Sequence, residues 1–164
     1  MPDYTIRKAT ANDCQVIASI NNEHILAGGS SMVTSTRSAA YFEAMMRNFS
    51  DRELIECLEL DGEVVGFGLI KRYSDREGYQ TSCETAIYLR SHKVRMGLGT
   101  KMKLSLIERC KEFGYHHLVA KIVASNKASI AYNLKLGYEV VGVQKEIGNI
   151  DGKWLDVTIM QLIL

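Results

Sequence analysis

Apolar and polar positions alternate from Tyr4 to Lys8, with Tyr4 and Ile6 on one face, and this predicts a first strand. Thr10-Ala11-Asn12-Asp13 then offers helix-capping side chains, and Val16, Ile17, Ile20 and His24 follow at helical spacing. Ala27-Gly28-Gly29-Ser30-Ser31 breaks that helix. Ser38 caps a second helix carrying Tyr41, Phe42, Met45, Met46 and Phe49, residues suited to core packing or to the wall of a pocket. Strands are predicted over 54–60 and 64–70, joined by Asp61-Gly62, a strong two-residue hairpin signal. A polar loop over 72–80 leads to a strand over 83–89. Residues 97–113 form a long amphipathic helix whose apolar line is Leu98, Met102, Leu106 and Cys110, with Ile107 beside it, and Gly114 stops it. A strand over 118–124, a short helix over 129–136 ended by Gly137, and strands over 138–143 and 154–164 turning near Asp151-Gly152 complete the chain. The order β-α-α-β-β-β-α-β-α-β-β predicts one α+β domain spanning residues 1–164 around a mixed sheet.

Composition narrows the function classes. The chain has 164 residues, 46 % apolar and 24 % charged, with a net charge of +1. A nucleic-acid module would carry a clearly basic face, so nucleic acid is not expected as a partner. No apolar run approaches the ~20 residues of a membrane span, so no membrane partner is expected. Met1-Pro2-Asp3-Tyr4 leads straight into strand pattern and not into a secretion signal. Cys14, Cys57, Cys83 and Cys110 form no C-x-x-C pair and read as buried, reduced thiols, which fits a cytoplasmic location. His24, His92, His116 and His117 show no metal-ligand spacing, and no metal is expected. There is no G-x-S-x-G for a serine hydrolase.

The chemical signal is the strand-to-helix junction Val94-Arg95-Met96-Gly97-Leu98-Gly99-Thr100. It lacks the Lys-Ser/Thr of a P-loop and the third glycine of a dinucleotide fingerprint. What remains is a loop of backbone amides opening a helix, which can hold a pyrophosphate at the positive end of the helix dipole. Alone, G-x-G does not separate that reading from a plain helix cap.

The wider pattern does more. VRMGLGTKM, a long helix, a strand and then ASNKASIAYNLKLGY resemble the GNAT N-acetyltransferases, whose acyl-CoA loop is Q/R-x-x-G-x-G/A, followed downstream by an Asn, a short helix and Leu-Gly-Phe/Tyr. Glu84-Thr-Ala-Ile-Tyr-Leu89, Asn126-Lys-Ala-Ser129 and Gly152-Lys-Trp-Leu-Asp-Val157 resemble the phosphinothricin and methionine-sulfoximine acetyltransferase branch. The resemblance implies a GNAT fold: a mostly antiparallel central sheet, splayed in the middle and flanked by about four helices. It implies acetyl-CoA as co-substrate, a small-molecule amine as acceptor and a homodimer. Ile87, Tyr88 and Leu89 would present N–H and C=O groups to the pantetheine arm. Arg95, Met96, Gly97, Leu98, Gly99 and Thr100 would wrap the pyrophosphate, with Asn126 and Ser129 beside the pantetheine. Val94 stands where the family has Gln or Arg, so weaker but not absent CoA binding is expected.

Acyl transfer to a primary amine, whose pKa is near 10, needs a group to take its proton. Glu84, on an apolar strand where burial is expected, matches the family's glutamate for that role. The family places a Tyr, and this branch often a His, seven residues after Asn126. Here that residue is Asn133, able to donate a hydrogen bond to the departing thiolate. Tyr132 is one place, about 100° of helix, away. The branch's acceptor loop carries an aromatic residue followed by Arg. Here it is Tyr73-Ser74, with Arg72 and Arg76 nearby: either Arg72 or Arg76 takes the place of the missing Arg, or the acceptor lacks that carboxylate. Tyr73, Arg72, Glu84, Thr85, Trp154 and Asp156 are the expected acceptor residues. The implied activity is acetyl-CoA-dependent N-acetylation of a small amine, an amino acid or analogue. A peptide acetyltransferase and a non-catalytic acyl-CoA sensor are the alternatives.

Overall fold

The computed structural model describes residues 3–94 and 96–164. Seven strands and four helices follow in the predicted order: β1 (Tyr4–Lys8), α1 (Cys14–Ala27), α2 (Ala39–Arg47), β2 (Leu54–Leu60), β3 (Glu63–Arg72), β4 (Ser82–Leu89), α3 (Leu98–Glu112), β5 (His117–Val123), α4 (Lys127–Lys135), β6 (Glu139–Ile150) and β7 (Lys153–Ile163). They build one sheet in the order β1-β2-β3-β4-β5-β7-β6. Every pairing is antiparallel except β4 with β5.

Local chemistry explains the junctions. At the β2–β3 turn Asp61 and Gly62 both take positive φ, as the tight hairpin requires. Asp13 accepts from the Thr10 N–H, closing a capping box ahead of α1. Arg7 grips the same carboxylate at 2.8 Å. Ser38 Oγ accepts from Tyr41 N and caps α2. Asn126 Oδ1 accepts from Ser129 N, so the cap lies at 126 and α4 starts two residues before the predicted position. The predicted strand over 138–143 continues to Ile150, because β7 runs beside it with Trp154 opposite Asn149.

Strand alternation sorts the core into two layers. Ile55, Cys57 and Phe67 pack with Ile17, Ile20 and Phe42 of α1 and α2 on one face. Leu58, Val65 and Ile70 pack with Met102 and Leu106 of α3 on the other, and Ile130 of α4 lies against that layer. Gly68 permits this closeness: a Cβ there would stand 2.8 Å from Leu106 and Met102 atoms. Glu56 is buried on the α3 face, where Arg109 Nε and Ser105 Oγ meet it at 2.9 and 2.8 Å.

The parallel ladder between β4 and β5 holds only from Ser82↔His117 to Glu84↔Val119. Beyond Glu84 the two strands diverge and leave a fork in the middle of the sheet.

Candidate active site

The fork leaves one edge of β4 without a strand partner. Thr81 O accepts from His116 and His117 on the β5 side, whereas Ser82 O accepts from Tyr73 on the β3 side. Successive residues of a strand turn their N–H and C=O groups to opposite neighbours. Thr85, Ile87 and Leu89 therefore direct their backbone groups into the fork. Tyr88 does not: its backbone faces β3, and its ring stacks on Phe67. Of the three residues expected to pair with a pantetheine arm, Ile87 and Leu89 are in position, and Tyr88 contributes only its side chain. Leu89 O already accepts from His24 Nε2 at 2.8 Å, which ties α1 to the mouth of the fork.

At the outer end of the fork, Gly97 takes φ +75°, ψ 0° and turns the chain into α3. A glycine meets no penalty in this left-handed region, and no atom lies within 4 Å of where its Cβ would be. The first N–H groups of α3, at Leu98, Gly99 and Thr100, have no partner within the helix. Leu98 is buried and anchors the turn, and Tyr132 donates its hydroxyl to Gly99 O, fixing α4 against this end of α3. Met96 is exposed, and Arg95 lies outside the described residues.

Two cavities meet at the fork. The inner one, about 140 Å³, is lined by Thr85, Ile87, Lys103, Asn126, Ser129 and Asn133 among others. Asn133 is buried; its Nδ2 donates to Ser129 O at 2.9 Å, and its Oδ1 has no partner. One N–H of Nδ2 is thereby engaged; the second N–H keeps a donor, the part expected of Asn133, although an amide cannot give up a proton. The Tyr132 phenol is also committed, to Gly99 O, and burial pushes its ionisation up. Thr85 is buried on this side of the sheet, receiving Lys103 Nζ at 2.8 Å, and does not reach the acceptor side as expected.

The second cavity, about 720 Å³, opens on the α1 face. Glu84 and Lys121 lie in its wall 3.2 Å apart. The Glu84 side chain is 37 % exposed, so the expectation of burial does not hold. Pairing with β5 ends at this residue, and the carboxylate looks into the cavity. Tyr73, Tyr88, Met32 and Ile147 complete much of the wall. Among the described lining residues Glu84 is the only carboxylate and Lys121 the only cation.

Three other expected acceptor residues lie elsewhere. Arg72 pairs with Asp75 at 2.8 Å and lines a separate cavity of about 570 Å³ with Tyr41, Met45 and Phe49. Trp154 is exposed at the tip of the β6–β7 hairpin. Asp156 accepts from Glu146 N and pairs with Lys145, pinning the irregularity in β6, which holds its carboxyl below the usual range. Neither lines the acceptor cavity. Lys103, Lys121 and His24 are site residues that pattern reading missed. For Lys103 a signal existed: it lies four residues before the core residue Ile107, inside the apolar stripe of α3. Among the described residues no group of three or more His, Cys, Asp or Glu is placed to hold a metal ion.

A forked mixed sheet with a helix N-terminus at one end of the fork and a carboxylate at the other is an architecture for bringing an acyl thioester to an amine. Comparison with known proteins gives the class. Residues 6–159 match the family described as acetyltransferase (GNAT) domain. The chain is 34 % identical over 125 residues to the L-methionine sulfoximine/L-methionine sulfone acetyltransferase of Pseudomonas paraeruginosa, covering 76 % of this chain and 72 % of the relative. It is 30 % identical over 164 residues to the L-amino acid N-acyltransferase MnaT of Escherichia coli, covering 98 % and 94 %. The solved phosphinothricin acetyltransferase of Sinorhizobium meliloti in complex with acetyl-CoA superposes with a TM-score of 0.92 at 28 % identity, covering 98 % and 88 %. The chain belongs to the GNAT acetyltransferase family and is an N-acetyltransferase.

Proposed function

We propose that the chain transfers an acetyl group from acetyl-CoA to the α-amine of a small amino acid or analogue. The observation that carries this reading is the Glu84–Lys121 pair in the acceptor cavity. An amino acid presents an ammonium and a carboxylate a few ångströms apart, and the cavity presents one charge complementary to each. Apolar walls from Met32, Val33, Ile147 and Val157 suit an apolar side chain. The relatives named for methionine sulfoximine, L-amino acids and phosphinothricin support the same acceptor class.

The features that suit acetyl-CoA are the Gly97 turn with open space above it, the unpaired N–H groups of the first turn of α3, and the free edge of β4. Met96 to Thr100 would hold the pyrophosphate, with Ile87 and Leu89 pairing to the arm and Asn126 and Ser129 beside it. Glu84 holds the acceptor's ammonium and takes its proton, and the freed amine attacks the thioester carbonyl. The N–H groups of Ile87 and Leu89 are the donors available to the carbonyl oxygen as charge develops there. Tyr73 bounds the acceptor beside Lys121, with the Lys121 Nζ 5.9 Å from its ring centroid. A homodimer and a cytoplasmic location belong to the same reading. The edge strand β6 exposes Val141, Val143 and Ile147, and the four cysteines are free and buried.

A thiol-release assay over α-amino acids, methionine sulfone, methionine sulfoximine, phosphinothricin, polyamines and peptides tests the acceptor class. Turnover is expected with the α-amino acid group, and polyamines, which lack a carboxylate for Lys121, are expected to be poorer by roughly 100-fold or more in kcat/KM. Faster turnover of polyamines or peptides would contradict the reading.

A further inference from the structure

Lys103 is a charged residue in the core. Its exposure is 2 %, its Nζ donates to Thr85 Oγ1 at 2.8 Å, and it lies 4.6 Å from the centroid of the Tyr138 ring. The Tyr138 hydroxyl in turn lies 3.4 Å from Thr85 Oγ1. Among the described residues no carboxylate pairs with it. A cation buried without a counter-ion is unfavourable, and desolvation pushes its pKa down to about 8. The groups facing it are Cys83 of β4, Cys110 of α3 and Tyr138 beyond α4, with Tyr132 of α4, Lys121 of β5 and His24 of α1 around the same cavity.

Its location is specific. Thr85 follows Glu84, the last β4 residue paired with β5, so Nζ sits at the vertex of the fork. Glu84 faces the acceptor cavity from one side of the sheet, and Lys103 faces the inner cavity from the other. In the acyl transfer proposed above, on which this inference rests, the carbonyl carbon must reach the amine at Glu84. The sulfur then lies on the inner side, where an expelled thiolate needs a proton. The other polar groups there are engaged or of the wrong kind. Tyr132 donates to Gly99 O, and His24 spans Leu89 O and Ser30 Oγ. Lys121 is paired with Glu84, and the Asn133 amide can donate a hydrogen bond but not a proton. Of the three N–H bonds of an ammonium at Lys103, one is engaged in a hydrogen bond among the described residues, to Thr85.

We propose that Lys103 is the acid for the leaving thiolate, donating a proton from Nζ to sulfur as the carbon–sulfur bond breaks. The amine nitrogen bonds to the carbonyl carbon, and the electron pair of the carbon–sulfur bond passes to sulfur. Sulfur takes the Nζ proton, giving coenzyme A as thiol and a neutral lysine. Nitrogen loses two protons, one from the ammonium before attack and one after the carbon–nitrogen bond forms. Glu84 takes each in turn and passes it to solvent, and Lys103 is reprotonated from solvent before the next turnover, so one proton is released overall.

The test reads the thiol and not only turnover. The ultraviolet absorbance of the thiolate is followed against pH in the complex of enzyme with coenzyme A, as a difference from the enzyme alone. In the wild type the bound thiol should ionise about one unit below its free value near 8.5. In Lys103→Met, which keeps the length and burial of the side chain, that shift should vanish while calorimetry still detects coenzyme A binding. The kcat of the wild type should fall above about pH 8, where Nζ loses its proton, and the slower variant should lack that limb. If Lys103→Met fails to fold, the wild-type titration and Lys103→Gln decide. A bound thiol that titrates as in free solution, or identically in both proteins, overturns the role of Lys103 and leaves the acetyltransferase reading standing. Folded wild type that binds no coenzyme A overturns that reading and this inference with it.

Discussion

Glu84→Gln is expected to lower kcat by about 100- to 1,000-fold at neutral pH while affinity for acetyl-CoA stays within about threefold of wild type. Glutamine keeps the shape of the side chain in the acceptor wall and can still accept a hydrogen bond, but it cannot take a proton from an ammonium. It also frees Lys121 from its partner at 3.2 Å, so the acceptor's carboxylate still finds a cation. The loss should shrink as pH rises toward 10, where the acceptor amine is neutral without help. Steady-state rates between pH 7 and 10, with calorimetry of acetyl-CoA on the same preparations, check this. A variant that loses donor affinity and keeps kcat would place Glu84 outside the chemistry.

Gly97→Val is expected to weaken acetyl-CoA binding by about 30-fold or more, with kcat changed far less. Gly97 holds φ +75°, a region in which a β-branched residue is strained, and the relaxed backbone would turn the N–H groups of Leu98, Gly99 and Thr100 away from a common focus. No steric clash adds to that backbone strain, because nothing stands within 4 Å of the new Cβ. Gly99→Ala is the control: its Cβ would meet Leu89 and Ile87 side chains at 3.5 and 3.7 Å, ordinary contact, and affinity should stay within about fivefold. Equal losses in the two variants would mean that the left-handed turn is not what shapes the loop.

Much of this was legible in residue pattern, and the reasons are physical. Elements with a strong period or strong turn chemistry were found: the Asp61-Gly62 hairpin, the α3 stripe from Leu98 to Cys110, and the Gly97 turn that opens α3. The fork was not legible from alternation. It depends on where β4 and β5 cease to pair, a tertiary event that only the family resemblance implied. The same event explains why Glu84, on an apolar strand, is not buried, and why Tyr88, between Ile87 and Leu89, turns its backbone the wrong way for the fork. Arg72 was chosen for its charge and nearness to Tyr73, but the end of β3 directs it to Asp75. Lys121 carries no motif of its own in the strand over 118–124, yet it lies 3.2 Å from Glu84. Lys103 was hidden because a lysine in an amphipathic helix is ordinarily assigned to the wet side.

The most direct measurement of the central claim is calorimetric titration of acetyl-CoA into the pure, folded protein. A saturable heat at one molecule per chain is expected, undiminished in Glu84→Gln and strongly weakened in Gly97→Val. A folded protein that gives no heat with acetyl-CoA, or one whose affinity ignores the loop and depends on Glu84, would contradict the account.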